Sequence, residues 1–238
     1  MNKIRLFVDH TLGEAQSVPL NKDQAHYIFS VMRKSVGETI SIFDGNNGEW
    51  EASIEEISKK SGVLFCIKQT KPQIMPPDLW LFFCPLKKVR TDFIVEKATE
   101  LGVAKIIPVQ TEHTNVDRIK LSRLSAHAIE AAEQCGGTYI PKIEELQKIK
   151  EVLENFPPNR RLLFCDEKLQ ASEVNLENLK KGKWAILVGP EGGFSEVERN
   201  HLKGLKFTFS ISLGPRILRA DTAAVTAISL WQNYLGDW

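Results

Sequence analysis

The chain has 238 residues, 42% apolar and 26% charged, with a formal net charge of +1. This is the composition of an ordinary globular protein with enough apolar content for one or two domains, and it carries no overall basic footprint for nucleic acid. Four cysteines, Cys66, Cys84, Cys135 and Cys165, form no CxxC, which disfavours zinc and redox motifs and favours free thiols in a reducing compartment. Asp9 interrupts the N-terminal apolar stretch too early for a signal peptide, and the run from Leu79 to Pro85 is too short for a bilayer. These features predict a cytoplasmic protein with no membrane partner.

Residues 1–72 read as short strands around one helix. Leu6 to Val8 and Val18 to Leu20 are strand-like. Asn21 followed by Gln24 is a capping-box signature for a helix carrying Ala25, Ile28, Phe29 and Met32. Thr39 to Phe43, a turn at Asp44-Gly45-Asn46-Asn47-Gly48, and Glu49 to Ile57 make a hairpin, and Val63 to Ile67 adds a strand. A small β-barrel with one helix fits. Lys71 to Pro77 holds three prolines and is the predicted linker, so residues 73–238 form a second domain.

From Leu79 strands and helices alternate, which predicts an α/β sheet. Leu79 to Phe83 is an apolar strand, as expected when both faces are covered. Thr91 or Asp92 is the expected cap of a helix that Gly102 stops, and Ala104 to Val109 is the next strand. Leu121 to Cys135 is an amphipathic helix closed by Gly136-Gly137. A helix near Ile149 to Phe156 leads to strand Arg161 to Cys165. Trp184 to Val188 and Phe207 to Leu213 follow, and an apolar helix from Ala223 to Leu235 ends the pattern.

Each of the last two strands runs into a Gly-Pro loop, Gly189 to Ser195 and Gly214 to Thr222. Neighbouring strand-loop-helix units of this kind place a ligand at the carboxyl ends of strands. The glycine spacing matches neither a phosphate loop nor a dinucleotide fingerprint, and Pro190 removes a backbone donor. The five histidines lack metal-ligand spacing, so no metal is expected. Gly192 and Gly193 permit close approach of backbone to a flat ligand, although either loop alone is explained by turn geometry. Arg216, Arg219 and Asp221 on the second loop tip the balance towards a site.

Residues 187–195 (LVGPEGGFS) and 212–223 (SLGPRILRADTA), with Glu96 to Val103, Glu130 to Gly136 and the helix from His26 to Gly37, resemble the SPOUT superfamily of trefoil-knot RNA methyltransferases, most closely its RsmE branch. That resemblance implies an α/β domain with a deep trefoil knot behind a PUA-like RNA-binding barrel, and a homodimer. It implies S-adenosyl-L-methionine held by Leu187, Gly189, Pro190, Glu191, Gly192, Gly193, Leu213, Gly214, Ile217, Leu218 and Thr222. The implied reaction is methylation of 16S ribosomal RNA at N3 of a uridine near the decoding centre of the small ribosomal subunit. Gly137 stands where the family usually has arginine, and Asp221 where many relatives have glutamate. For that chemistry Arg219 is the candidate to stabilise charge on the uracil oxygens, and Asp221 the candidate to orient Arg219 or accept the proton. Arg5, Arg33 and Lys34 are candidate phosphate contacts. The competing readings are ribose 2′-O methylation and a non-catalytic RNA-binding assembly factor.

Overall fold

A computed structural model of the chain describes residues 4–58, 60–169, 171 and 174–238. It divides into two compact units, Met1–Met75 with Ala132–Ile140, and Pro76–Ala131 with Pro141–Trp238. The chain therefore passes between units at Met75, within the predicted proline-rich linker. It also returns a nine-residue segment to the first unit, which the sequence pattern did not suggest.

The first unit is a five-stranded sheet. Its strands are β1 (Arg5–Phe7), β2 (Ser17–Leu20), β3 (Thr39–Phe43), β4 (Glu49–Ile57) and β5 (Gly62–Lys71), in the order β1-β3-β4-β5-β2. Leu6, Val18, Ile28, Ile40, Ile42, Ile54 and Leu64 form its core. Asn21 caps α1 (Lys22–Ala25) with the expected box, accepting from the backbone of Asp23 and Gln24. The helix then widens into a π-helical turn over His26–Val31. The wider turn breaks the 3.6-residue period and carries Met32 off the buried stripe, leaving it 38% exposed.

Arg5 is a correction to the reading of it as a phosphate contact. Its Nε donates to Glu49 Oε2 at 2.7 Å, and its terminal nitrogens donate to the carbonyls of Ala132, Glu133 and Gly137 at 2.5, 2.9 and 2.7 Å. The side chain is 11% exposed. A guanidinium so consumed holds the returning segment to the sheet and has little left for RNA. Burial works to raise the Glu49 carboxyl, but the hydrogen bond and charge of Arg5 outweigh it and hold that group below the usual carboxylate range.

The second unit is built on parallel strands β6 (Leu79–Phe83), β7 (Lys105–Gln110), β10 (Arg161–Cys165), β11 (Trp184–Val188) and β12 (Thr208–Ile211), in the order β12-β10-β11-β6-β7, with short β8 (Lys142–Ile143) and β9 (Gln147–Lys148) beside β7. Every residue of β11 is buried, as an apolar run in a parallel sheet requires. Helices α2 (Lys88–Glu100), α4 (Ile149–Glu154), α5 (Glu196–Gly204) and α6 (Ala220–Leu235) complete the pattern, together with α3 (Leu121–Cys135), whose last four residues belong to the first unit. Thr91 and Asp92 lie inside α2, not at its cap: Thr91 Oγ1 instead bridges the N–H and carbonyl of Leu86 at 2.8 and 3.0 Å. Ser195 and Glu198 form the predicted capping box of α5. No helix among the described residues is long and apolar enough to cross a membrane.

Candidate functional site

β10, β11 and β12 are adjacent and parallel, so their carboxyl ends, and the loops that follow, gather at one edge of the sheet. The loops enclose a cavity of about 600 Å³, within the size range of small-molecule sites. Of the residues predicted to hold a ligand, Gly189, Pro190, Glu191, Gly193, Leu213, Gly214, Ile217 and Leu218 line it. Leu187, Gly192 and Thr222 do not. Leu187 is wholly buried in the core beneath the loop. Gly192 packs on the far side against His113. The backbone and hydroxyl of Thr222 both turn to Asp221 Oδ1.

Two glycines are required by geometry. A Cβ on Gly189 would run into the Phe194 ring, and Gly193 sits at φ +67°, where a Cβ would run into the Glu167 carboxylate. His113 fixes the same turn from outside. Its Nδ1 lies 3.1 Å from Gly192 O and 3.2 Å from Gly193 O, a contact that requires the Nδ1–H tautomer.

Arg219 lines the cavity as the residue preceding α6, exposed, with no hydrogen bond or ion pair to its guanidinium among the described residues. Arg216 is likewise exposed on the cavity wall. Asp221 is not the partner of Arg219. Its Oδ2 accepts from Arg90 Nε at 2.7 Å and its Oδ1 from Arg90 Nη2 at 3.2 Å, while Arg90 Nη1 reaches Glu191. The hydrogen bond from Arg90 holds the Asp221 carboxyl below the usual carboxylate range, despite the opposing effect of burial. Asp221 is thus a settled anion and a weak base. Arg90, on α2, joins the first Gly-Pro loop to the start of α6. Sequence reasoning missed it because no local motif links it to residues so distant in the chain.

The loop after β10 was also missed. It brings Asp166, Glu167 and Lys168 to the cavity. Asp166 is buried and pairs with Arg199, itself 4% exposed, and its other oxygen lies 3.0 Å from Lys203 Nζ. Arg199 also donates to Glu167 Oε1 at 2.6 Å. An apolar strand ending in two acids at a parallel sheet edge was the available signal. Cys165 lines the cavity as well, but burial pushes its thiol up to about 12, so it is no nucleophile at neutral pH.

In the first unit Arg33 is exposed at φ +54°, and Lys34 donates to Glu38 at 2.6 Å. Cys66, Cys84 and Cys165 are buried, whereas Cys135 is exposed.

Comparison with known proteins gives a consistent result. An RNA methyltransferase domain family matches residues 74–232, and an RNA methyltransferase PUA domain family matches residues 20–64. A ribosomal RNA small subunit methyltransferase E from Rickettsia conorii is 34% identical, over 94% of this chain and 93% of its own. A crystal structure of the enzyme of that name from Neisseria gonorrhoeae, bound to S-adenosyl methionine, superposes with a TM-score of 0.89 at 27% identity over all of both chains. The putative methyltransferase Lpg2936 of Legionella pneumophila, in complex with the same cofactor, gives 0.89 at 28% over all of both chains. The α/β class with a PUA-type N-terminal domain, implied by the resemblance, is the class found.

Proposed function

The chain belongs to the ribosomal RNA small subunit methyltransferase E family, and we propose from this that it methylates small-subunit ribosomal RNA with S-adenosylmethionine bound at the ends of β10, β11 and β12. The observation that carries this reading is the cavity of about 600 Å³, walled by the two Gly-Pro loops, with Arg219 at its side and unpaired among the described residues. Such walls suit a compact nucleoside whose edges pair with peptide groups. Gly189, Gly193, Leu213 and Gly214 would hold it, and when bound it supplies an electrophilic methyl group.

The finer reading is N3 of a uridine in 16S ribosomal RNA. N3 carries a proton at neutral pH and is hidden in base pairs, so the base must be unpaired or extruded to react. N3 loses its proton to solvent, negative charge spreads over the uracil oxygens, and N3 then takes the methyl as that carbon's bond to the sulfonium sulfur breaks, which leaves a neutral thioether. Arg219, with no carboxylate partner among the described residues, is placed to stabilise that charge. Asp221 acts as a positioning residue: it fixes Arg90, and through it the loop that carries Glu191. Holding N3 in line with the methyl supplies much of the rate effect, up to about 7–11 kcal/mol in favourable cases.

The PUA-type unit is assigned RNA binding, with Arg33 and Lys34 as phosphate contacts. The proposed ribosomal RNA substrate supports a cytoplasmic location. Exposed Val89 and Phe93 on α2 and Ile217 by the cavity support a homodimer. A sedimentation mass of one chain would overturn that part. Transfer of labelled methyl to small-subunit particles, followed by mass mapping of the RNA, tests the whole. Label on a ribose or on another base would refute the uridine N3 reading.

A further inference from the structure

One carboxylate on the cavity wall has no role in the function proposed above. Glu167 follows the carboxyl end of β10, the strand between β11 and β12, so it stands between the two Gly-Pro loops. The cavity is lined by three acids, Asp166, Glu167 and Glu191. Asp166 is buried and shared by Arg199 and Lys203, and Glu191 is tied to Arg90. Glu167 differs. Its Oε1 accepts from buried Arg199 at 2.6 Å, while its Oε2 accepts no hydrogen bond among the described residues. The side chain is 31% exposed. Gly193 closes over it, since any Cβ there would collide with the carboxylate. Glu167 is therefore an ordered, acceptor-only group with capacity to spare, on the wall of a nucleoside-sized cavity.

A ribose presents two O–H donors on adjacent carbons. A carboxylate accepts both, and an acidic side chain near a strand end selects ribose hydroxyls in other parallel-sheet nucleotide sites. Resting on the cofactor reading above, we infer that Glu167 accepts the hydroxyl hydrogens of the cofactor's ribose diol and that Arg199 holds it in place. Asp166 in turn fixes Arg199.

The test is calorimetric titration of the full-length protein and its Glu167→Ala and Glu167→Gln variants with three ligands: S-adenosylhomocysteine, its 2′-deoxy analogue, and 5′-methylthioadenosine, which keeps the diol and lacks the amino acid. Wild type is expected to prefer the ribose compound over the deoxy compound by about tenfold or more, the scale of a charge-assisted hydrogen bond. Glu167→Ala is expected to abolish that preference. It should weaken S-adenosylhomocysteine and methylthioadenosine by the same factor and the deoxy analogue, which keeps its 3′ hydroxyl, by clearly less, and the binding that remains shows that the variant folds. Equal losses for ribose and deoxy ligands, or no loss in either variant, would overturn the inference alone. A loss confined to S-adenosylhomocysteine would place Glu167 at the amino-acid end and overturn it too. No binding of any ligand by wild type would bring down the cofactor reading, and the inference with it.

Discussion

Arg90 joins Glu191 and Asp221, which lie 101 and 131 residues further along the chain. Replacing it with methionine removes the charge and keeps much of the bulk. The expected outcome is a fall in kcat/KM of about tenfold, the scale of one charge-assisted hydrogen bond. The pH dependence gives a second reading. The folded Asp221 carboxyl titrates below its unfolded value, so its stabilising effect is present above the unfolded value and is lost as pH falls through the lowered one. Without Arg90 that stabilising effect is absent, so there is less to lose on acidification. Thermal melts at descending pH should show Arg90→Met below wild type near neutrality, with the gap closing as acid protonates Asp221, and a gap that stays constant with pH would remove Asp221 from this role. Gly193→Ala adds strain of about 1–2 kcal/mol at φ +67° and a collision with Glu167. Cofactor affinity measured by titration is expected to fall more than tenfold, with only a small drop in Tm.

The strands and the two Gly-Pro loops are legible in the sequence, because parallel strands are continuous apolar runs and tight exits from them need glycine. Leu187 shows the limit. It stands in the matching motif, yet it faces the core, 0% exposed, and the ligand side of that strand end is left to Val188 and Gly189. In a strand buried on both faces, hydrophobicity does not say which side chains face which way. Leu187→Ala is accordingly expected to cost about 2–5 kcal/mol of stability in denaturant unfolding, with little change in the Kd of the folded fraction for cofactor. The Asp221 assignment went astray for a different reason. Arg219 is its neighbour in sequence, but α6 starts at Ala220, so Arg219 and Asp221 diverge at the first turn and Asp221 meets α2 instead. Helix starts were legible where a side chain does the capping, as at Asn21 and Ser195. At α2 the residue in the cap position is Lys87, which makes no such bond and leaves no signature.

For the whole molecule, the proposed RNA contacts predict a salt effect. Arg33→Ala should lower the slope of log affinity for small-subunit RNA against log salt by about one, with no change in cofactor affinity. The Arg5→Ala variant should behave otherwise. Arg5 carries three carbonyls and a buried carboxylate, so its loss is expected to lower Tm by several degrees and leave the salt slope unchanged. An altered slope in Arg5→Ala with an unchanged melt would return Arg5 to the RNA.

The segment that Arg5 secures also bears on how the protein is made. Translation delivers the N-terminal sheet first, at about 5–20 residues per second. Its last pieces, Ala132–Ile140, emerge 65 residues after Met75 (140 − 75), some seconds later. Until then Glu49 and Arg5 have each other but lack the carbonyls that complete their surroundings. The nascent N-terminal unit therefore waits for part of its successor, and the two mature together on the ribosome, the machine whose RNA the finished enzyme is proposed to modify.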